Sequence, residues 1–277
     1  MSASERALLL AAGLLIACGD GESGTSGGGA SDTTSAGPGG PGATSSGSSG
    51  TATTASGTST GTAGTGGGLP AYASFHLNYT QDIDFSKCAE RDFVVFDMEE
   101  TPPSTIDQCK SMGATMLCYF SSQYEEWRAD AGSFGALAEG IDGWPGEFFV
   151  DPTDPQNLAV MVARLDQAKA KGCEGIDLDN IDHADHEAYI SSIFTEARAR
   201  GLLVSQKNAI EKIDLFWDLV DMYQNEECQM YDECAAYEGL GRPVYNIEYS
   251  PCHTLPYLYS NRKDVEAMDA WEEPCAP

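Results

Sequence analysis

Positive charge, histidine and long apolar runs are all scarce in this 277-residue chain. Lysine and arginine number 15 against 43 aspartates and glutamates, a net charge of −28. Phosphate binding needs the opposite balance, so nucleic acid is excluded as a partner. No stretch approaches the ~18–20 consecutive apolar residues of a membrane-spanning helix. The histidines are His76, His183, His186 and His253, and no Cys-x-x-Cys pair occurs, which leaves little material for a Cys/His zinc site. No glycine-rich dinucleotide fingerprint follows an early strand. Residues 19–68 lack lysine, arginine, cysteine and every aromatic, and hold 18 Gly, 10 Ser and 11 Thr. Such a segment cannot bury enough apolar surface to offset its chain entropy. It is expected to be a flexible tether with a reach of ~35–42 Å.

Ahead of that tether, Leu8 to Ala17 form a ten-residue apolar run of signal-peptide length. It leads into Leu15-Ile16-Ala17-Cys18, which resembles a bacterial lipobox. The expected organisation is a leader over 1–17, a lipidated Cys18 with its tether over 18–68, and one domain over 69–277. The protein is expected to be exported and held on the cell envelope by its lipid, with simple secretion as the alternative. Gly19 after Cys18 suits the outer membrane. Residues 1–68 hold one base and four acids, so the domain keeps 14 bases against 39 acids. A surface this acidic repels polyanions and attracts a cationic partner. Cys18 aside, eight cysteines remain, an even number that in an exported domain implies disulfides. Cys228 and Cys234 are the first expected pair, and the other pairings stay open.

In the domain, short apolar runs alternate with amphipathic stretches. The runs are Ala73–Leu77, Phe93–Met98, Ala114–Phe120, Gly175–Asn180, Leu202–Asn208, Leu219–Glu226, Pro243–Tyr249 and Lys263–Asp269. The spacing predicts helices over Gln156–Gly172 and Asp185–Gly201, each closed by its glycine. Eight strands alternating with helices indicate an α/β (β/α)₈ TIM barrel. A doubly wound open sheet is the runner-up. The longest insertion, Ser121–Val150, is rich in aromatics, among them Tyr124, Trp127, Trp144, Phe148 and Phe149.

Barrel chemistry sits at the C-terminal ends of the strands. There the fourth run offers Asp177, Asp179 and Asn180, the fifth Lys207 and Asn208, the sixth Asn225, Glu226 and Glu227, and the seventh Asn246, Glu248 and Tyr249. Alternation puts Asp177 and Asp179 on one side of their strand, ~6.6 Å apart. Two like charges in a confined site hold a proton more tightly. Carboxylates on the fourth and sixth strands can flank a glycosidic bond, one attacking and one donating a proton. Trp127 and Trp144 would offer flat surfaces to sugar rings, Tyr119 is either core or ligand contact, and Lys207 would keep a carboxylate ionised. The run Asp177–Glu187, with His183 and His186, looks like a metal site, but its spacing is not that of an EF-hand. Helix capping by Asp182 or Asp185, with surface histidines, is the favoured account. No metal and no cofactor is expected.

Several segments together resemble glycoside hydrolase family 114, the endo-α-1,4-polygalactosaminidases. They are Cys118–Asp130, Asp142–Asp151, Lys171–Asp182, Gln206–Asn208, Asn225–Cys234, Val244–Tyr249 and Lys263–Cys275. The resemblance covers the domain from about Ala71 onward, in family order. It implies a TIM barrel that cleaves α-1,4-linked galactosamine polymers by a retaining two-carboxylate mechanism. The Asp of the family's E-P-D-N falls on Asp179, the implied nucleophile, although the motif reads Asp177-Leu178-Asp179-Asn180 here. The Glu of N-E-Q-C falls on Glu226, the implied general acid/base, with Glu227 in place of Gln. Residues expected to contact substrate are Asp97, Tyr119, Trp127, Arg128, Asp151, Asp177, Asn180, Lys207, Asn208, Asn225, Glu248 and Tyr249. The implied partner is a cationic galactosamine-containing polysaccharide, and the chain is expected to be a monomer. A surface carbohydrate-binding barrel without turnover and a metal-dependent hydrolase are the alternative readings.

Overall fold

Eight short parallel strands, largely buried, form the centre of the domain, with a packed lumen on one side and helices against much of the other. The computed structural model describes residues 69–265 and 267–277, so the leader, Cys18 and the tether lie outside the described residues. The chain runs through β1 (Phe75–Asn78), β2 (Phe93–Asp97) and β3 (Thr115–Ser121). An insertion follows with β4 (Tyr124–Glu125), β5 (Leu137–Gly140) and β6 (Glu147–Val150). Then come β7 (Gly175–Asp179), β8 (Leu203–Lys207), β9 (Met222–Glu226), β10 (Val244–Glu248), β11 (Tyr259–Arg262) and β12 (Glu273–Pro274). The main sheet has the order β1-β2-β3-β7-β8-β9-β10-β11-β12, parallel except for β12. It curls as a TIM-barrel-like parallel sheet until Phe75 of β1 stacks on Tyr245 of β10, ring centroids 5.1 Å apart. The insertion forms its own antiparallel sheet, β4-β6-β5.

Period-two alternation divides the core. Phe75, Leu77, Phe93, Val95, Leu117, Met222, Tyr245 and Ile247 fill the lumen, while Val94, Phe96, Met116, Phe120, Ile176, Leu178 and Val204 face the helices. Gly175 opens β7 where no side chain fits: a Cβ there would come within 2.5 Å of Leu117 and 2.8 Å of Leu203. The helices are α1 (Phe85–Glu90), α2 (Pro103–Met112), α3 (Pro155–Lys171), α4 (Glu187–Ala199) and α5 (Ile213–Phe216). In α3, Asp154 caps Gln156 N, Pro155 opens the first turn and Gly172 closes the helix at φ 96°. It buries Val160, Met161, Leu165 and Ala168, so the expected helix stands. Among the described residues no α-helix follows β9 or β10, which is how the barrel fits so short a domain.

The eighth strand is Tyr259–Arg262, not the expected run Lys263–Asp269. That run instead crosses between β11 and β1, which no strand pairing joins among the described residues. Lys263 Nζ donates to the carbonyls of Leu77, at 2.8 Å, and Asp269, at 2.6 Å, and Tyr79 N donates to Met268 O at 2.9 Å. Beyond it, the buried Glu272 carboxylate takes His76 Nδ1 at 2.7 Å, Arg91 Nη2 at 2.5 Å and Asn261 Nδ2 at 3.1 Å, with Lys87 Nζ at 3.2 Å. Burial alone would raise this acid, but His76 and Arg91 outweigh it and hold it down at about 2. Four disulfides add covalent closure: Cys88–Cys109, Cys118–Cys173, Cys228–Cys234, as expected from its spacing, and Cys252–Cys275. Such a set is consistent with an extracytoplasmic protein.

Candidate active site

At the C-terminal ends of three adjacent strands, β7, β8 and β9, stand Asp179, Lys207 and Glu226. Lys207 Nζ lies 2.9 Å from Asp179 Oδ2 and 2.9 Å from Glu226 Oε2. One ammonium therefore bridges two carboxylates, and the facing oxygens can be no further apart than the two contacts laid end to end. Asp179 Oδ2 also accepts from Tyr119 OH at 2.7 Å, and Oδ1 from Asn180 N at 2.8 Å. Burial would raise the Asp179 carboxyl, but the Lys207 charge and these donors outweigh it and hold it below the ordinary carboxylate range. Glu226 Oε1 accepts from Tyr249 OH at 2.6 Å. Its other oxygen accepts from Asn208 Nδ2 at 3.2 Å, while Glu226 N donates to Asn208 Oδ1 at 2.9 Å.

The residue after each of these three side chains is left-handed: Asn180 at φ 57°, Asn208 at 54° and Glu227 at 62°. Each strand thus turns away sharply and leaves its last side chain at the lumen mouth. Asparagine tolerates this region better than most residues, and the glutamate is an outlier held by Glu227 N donating to Ile247 O at 2.7 Å.

Asp177 sits deeper on the same face of β7, fully buried, with neither oxygen at hydrogen-bond geometry to a donor. Burial pushes it up to about 7, with the charges of Asp179 and Glu226 adding to the rise and Ser205 and Lys207 opposing it. Tyr79, whose ring stacks on Tyr119 at 3.9 Å, extends this floor.

Of the residues expected at the site, Tyr119, Asp177, Asp179, Asn180, Lys207, Asn208, Glu226 and Tyr249 come together. The others do not. Asn225 and Glu248 point out of the lumen, because neighbours along a strand alternate. Asn225 Nδ2 donates to Tyr237 OH at 3.0 Å, and Glu248 accepts from Gln229 N and Asn246 Nδ2, both at 2.8 Å. Arg128 is consumed internally, forked onto Asp97 at 2.8 and 3.0 Å and onto Glu125 at 2.9 and 3.1 Å. That pair braces the insertion against the end of β2. Asp151 is tied to Thr153, its carboxylate accepting from Thr153 N at 2.8 Å. Trp127 and Trp144 are half-buried in the insertion. His183 and His186 hydrogen-bond each other at 2.8 Å, and His186 Nε2 donates to Val150 O.

The sequence reading missed Tyr79 and Glu147. Glu147, on β6, reaches Asn180 Nδ2 at 3.4 Å and is 7% exposed. Burial pushes it up to about 8, with Glu125 and Asp179 adding to the rise and Arg128 and Lys207 opposing it. Its one sequence signal was the segment Asp142–Asp151, where the aromatics drew notice and the carboxyl did not.

The model of glycoside-hydrolase family GH114 matches residues 52–274. The chain belongs to that family. The fold agrees with two solved structures. A crystal structure of Aspergillus fumigatus Ega3 in complex with galactosamine is 26% identical, with a TM-score of 0.68, covering 75% of this chain and 96% of that one. The glycoside hydrolase domain of PelA from Pseudomonas aeruginosa is 15% identical, with a TM-score of 0.59 over 76% of this chain and 100% of that one, a likeness of fold. An uncharacterised protein of Deinococcus radiodurans is 28% identical over 56% of this chain, and the match spans 63% of that relative's length.

Proposed function

We propose that this GH114 protein cleaves α-1,4-linked galactosamine-containing polysaccharide with retention at the anomeric carbon, Asp179 acting as nucleophile and Glu226 as acid/base. The observation that carries the reading is the single Lys207 ammonium held 2.9 Å from both carboxylates. It keeps the facing oxygens closer than the ~6.5–9.5 Å of inverting pairs and compatible with the ~5–5.5 Å of retaining ones. In the first step a proton passes from Glu226 to the glycosidic oxygen as Asp179 attacks the anomeric carbon and the bond to the leaving sugar breaks. In the second, Glu226 takes a proton from water, the water oxygen attacks the same carbon, and Asp179 leaves as carboxylate. Lys207 suits both. While Asp179 is ionised it is neutralised by the ammonium. Once Asp179 is esterified, the same ammonium favours an ionised Glu226, the form required as base.

Charge supports the choice of polymer. The domain holds 39 acids against 14 bases, and many of those bases are engaged by partners within the domain. Arg128, Arg164, Arg198 and Arg200 pair with carboxylates, and Lys110, Lys171, Lys212 and Lys263 cap backbone carbonyls. De-N-acetylated galactosamine is cationic near neutral pH and would be drawn to such a surface.

The test is incubation with de-N-acetylated α-1,4-galactosamine oligomers beside Asp179→Asn and Glu226→Gln, with products read by mass spectrometry. Shorter oligomers are expected from the unsubstituted protein, with turnover lowered on the order of 10³-fold or more in each variant. Oligomers bound but left whole by all three proteins would sink the hydrolase reading in favour of a carbohydrate-binding barrel.

A further inference from the structure

We propose that Glu147 is the residue that reads the amino group of the sugar, its carboxylate pairing with the ammonium of the galactosamine unit seated beside Asp179. This deepens the galactosaminidase reading and rests on it.

The neighbourhood of Glu147 is a set of carboxylates each already matched to a cation. Asp97 and Glu125 share Arg128, Asp130 holds Arg164, and Asp179 and Glu226 share Lys207. Glu147, like the deeper Asp177, is an exception. Among the described residues no lysine, arginine or histidine lies within ion-pair distance of it, although it is more than nine-tenths buried. It also stands directly across from Glu125 in the pairing of β4 with β6, where like charges disfavour each other. Its recorded side-chain hydrogen bond comes from Asn180 Nδ2, at 3.4 Å, near the limit of such a contact. A buried carboxyl without a partner is a cost that a fold sheds easily by substitution, unless a ligand supplies the missing charge.

Its aim indicates the ligand. Asn180 is fixed from two sides, its side chain on Ser121 Oγ at 2.9 Å and its backbone N–H on Asp179 Oδ1 at 2.8 Å. Glu147 accepts from that same Asn180 Nδ2 at 3.4 Å, with Asp179 and Lys207 near enough to act on its charge, so it borders the space that a sugar attacked by Asp179 would fill. The groups facing it are Glu125 and Asp179, which favour its neutral form, and Arg128 and Lys207, which oppose that at longer range. Burial, the larger effect, adds to those two carboxylates in favouring the neutral acid in the free protein. An arriving ammonium reverses the balance: the proton goes to solvent and the carboxylate stays, paired. A neutral hydroxyl or acetamide in the same place gives no such exchange. Glu147 would thus separate galactosamine from galactose and from N-acetylgalactosamine by charge.

The experiment follows the Glu147 carboxyl carbon by ¹³C NMR in the unsubstituted protein at pH 6, where the free sugar amine is already charged, with Glu147→Gln used to assign the signal. Galactosamine monosaccharide, which cannot be cleaved, is added, and galactose serves as the control. A shift from the protonated to the ionised position with galactosamine alone is expected. A signal that stays protonated at saturation would overturn the proposal. In kinetics, Glu147→Gln is expected to lower kcat/KM on de-N-acetylated oligomers by ~10-fold or more, as for loss of one charged hydrogen bond. Partly N-acetylated oligomers are expected to lose less. An equal loss on both would also overturn the proposal. Because the NMR arm needs no turnover and works on the native sequence, a failed cleavage assay or an unfolded variant leaves it decisive.

Discussion

Replacing Lys207 by methionine tests how the two carboxylates are kept in different protonation states. Methionine matches the lysine stem and removes the ammonium that lies 2.9 Å from each acid. Two carboxylates about 5–6 Å apart at an effective dielectric constant of about 20 repel by roughly 3 kcal/mol. That corresponds to about 2 pKa units on whichever ionises second. Asp179 is held low because Lys207 and its donors outweigh burial, so it gives back this much at least. The pair would then share one proton over a wide pH range. The assay is the pH profile of kcat/KM on de-N-acetylated oligomers. The acidic limb is expected to move up by about 2 pH units, with the activity ratio of variant to native falling roughly severalfold further at pH 5 than at neutral pH. Thermal melting would confirm that the variant folds. A loss of equal size at every pH would refute the electrostatic role and leave Lys207 as a spacer.

Stability should fall as pH rises from about 6.5 to 7.5. The folded chain holds the Asp177 proton up to about 7 and the Glu147 proton up to about 8, whereas the unfolded chain releases both near their ordinary values of 3.8 and 4.5. With folded pKa values raised, the stabilisation is complete below the unfolded values and is lost as pH climbs through the folded ones. Below about 6.5 the depressed His76 and His186 work in the opposite sense, and near 8 so does Lys263, so the interval between is the clean one. Roughly 1–2 kcal/mol is at stake across it, seen as a melting temperature several degrees lower at pH 7.5, and a flat or rising trend would contradict the assignment. At the seam between β1 and β11, Glu272→Gln leaves Arg91 and Lys87 without their carboxylate; a loss of about 3 kcal/mol is expected, read by denaturant unfolding, and an unchanged midpoint would mean that the seam is held by Lys263 and the disulfides instead.

The ends of apolar runs were the legible part of the site. Asp179, Lys207, Glu226 and Tyr249 each stand where a hydrophobic run gives way to polar residues, and a parallel barrel places those ends at its mouth. Alternation was underused: Asn225 adjoins Glu226 and must face the other way, and Glu248 follows Ile247, which is in the lumen. The eighth strand was hidden because Tyr259–Arg262 is mostly polar, its asparagine and arginine serving Glu272 and Glu273 at the seam. Lys263–Asp269 carries the more strand-like pattern but spends its lysine on two carbonyls. Asp97 and Arg128 look like site residues by type. That they neutralise each other depends on the insertion folding back over β2, a long-range contact that no local pattern reveals.

The acidic excess bears on mechanism as well as on solubility. Were the cations spread over the surface, a charge of this size would be a diffuse field screened within ~8 Å at physiological salt. Instead, arginines lock carboxylates in the insertion and at the seam, and lysines close loop carbonyls. At the mouth, Lys207 stands among Asp177, Asp179, Glu226 and Glu147, four carboxyls that would defeat one another if all ionised. Burial eases the conflict by raising Asp177 to about 7 and Glu147 to about 8, which leaves the lysine to Asp179 and Glu226. The arrangement holds only while the site is empty of cations. On the proposed reading, a polymer that brings its own ammonium groups supplies Glu147 with the partner its buried place lacks, and a neutral polymer of the same shape does not.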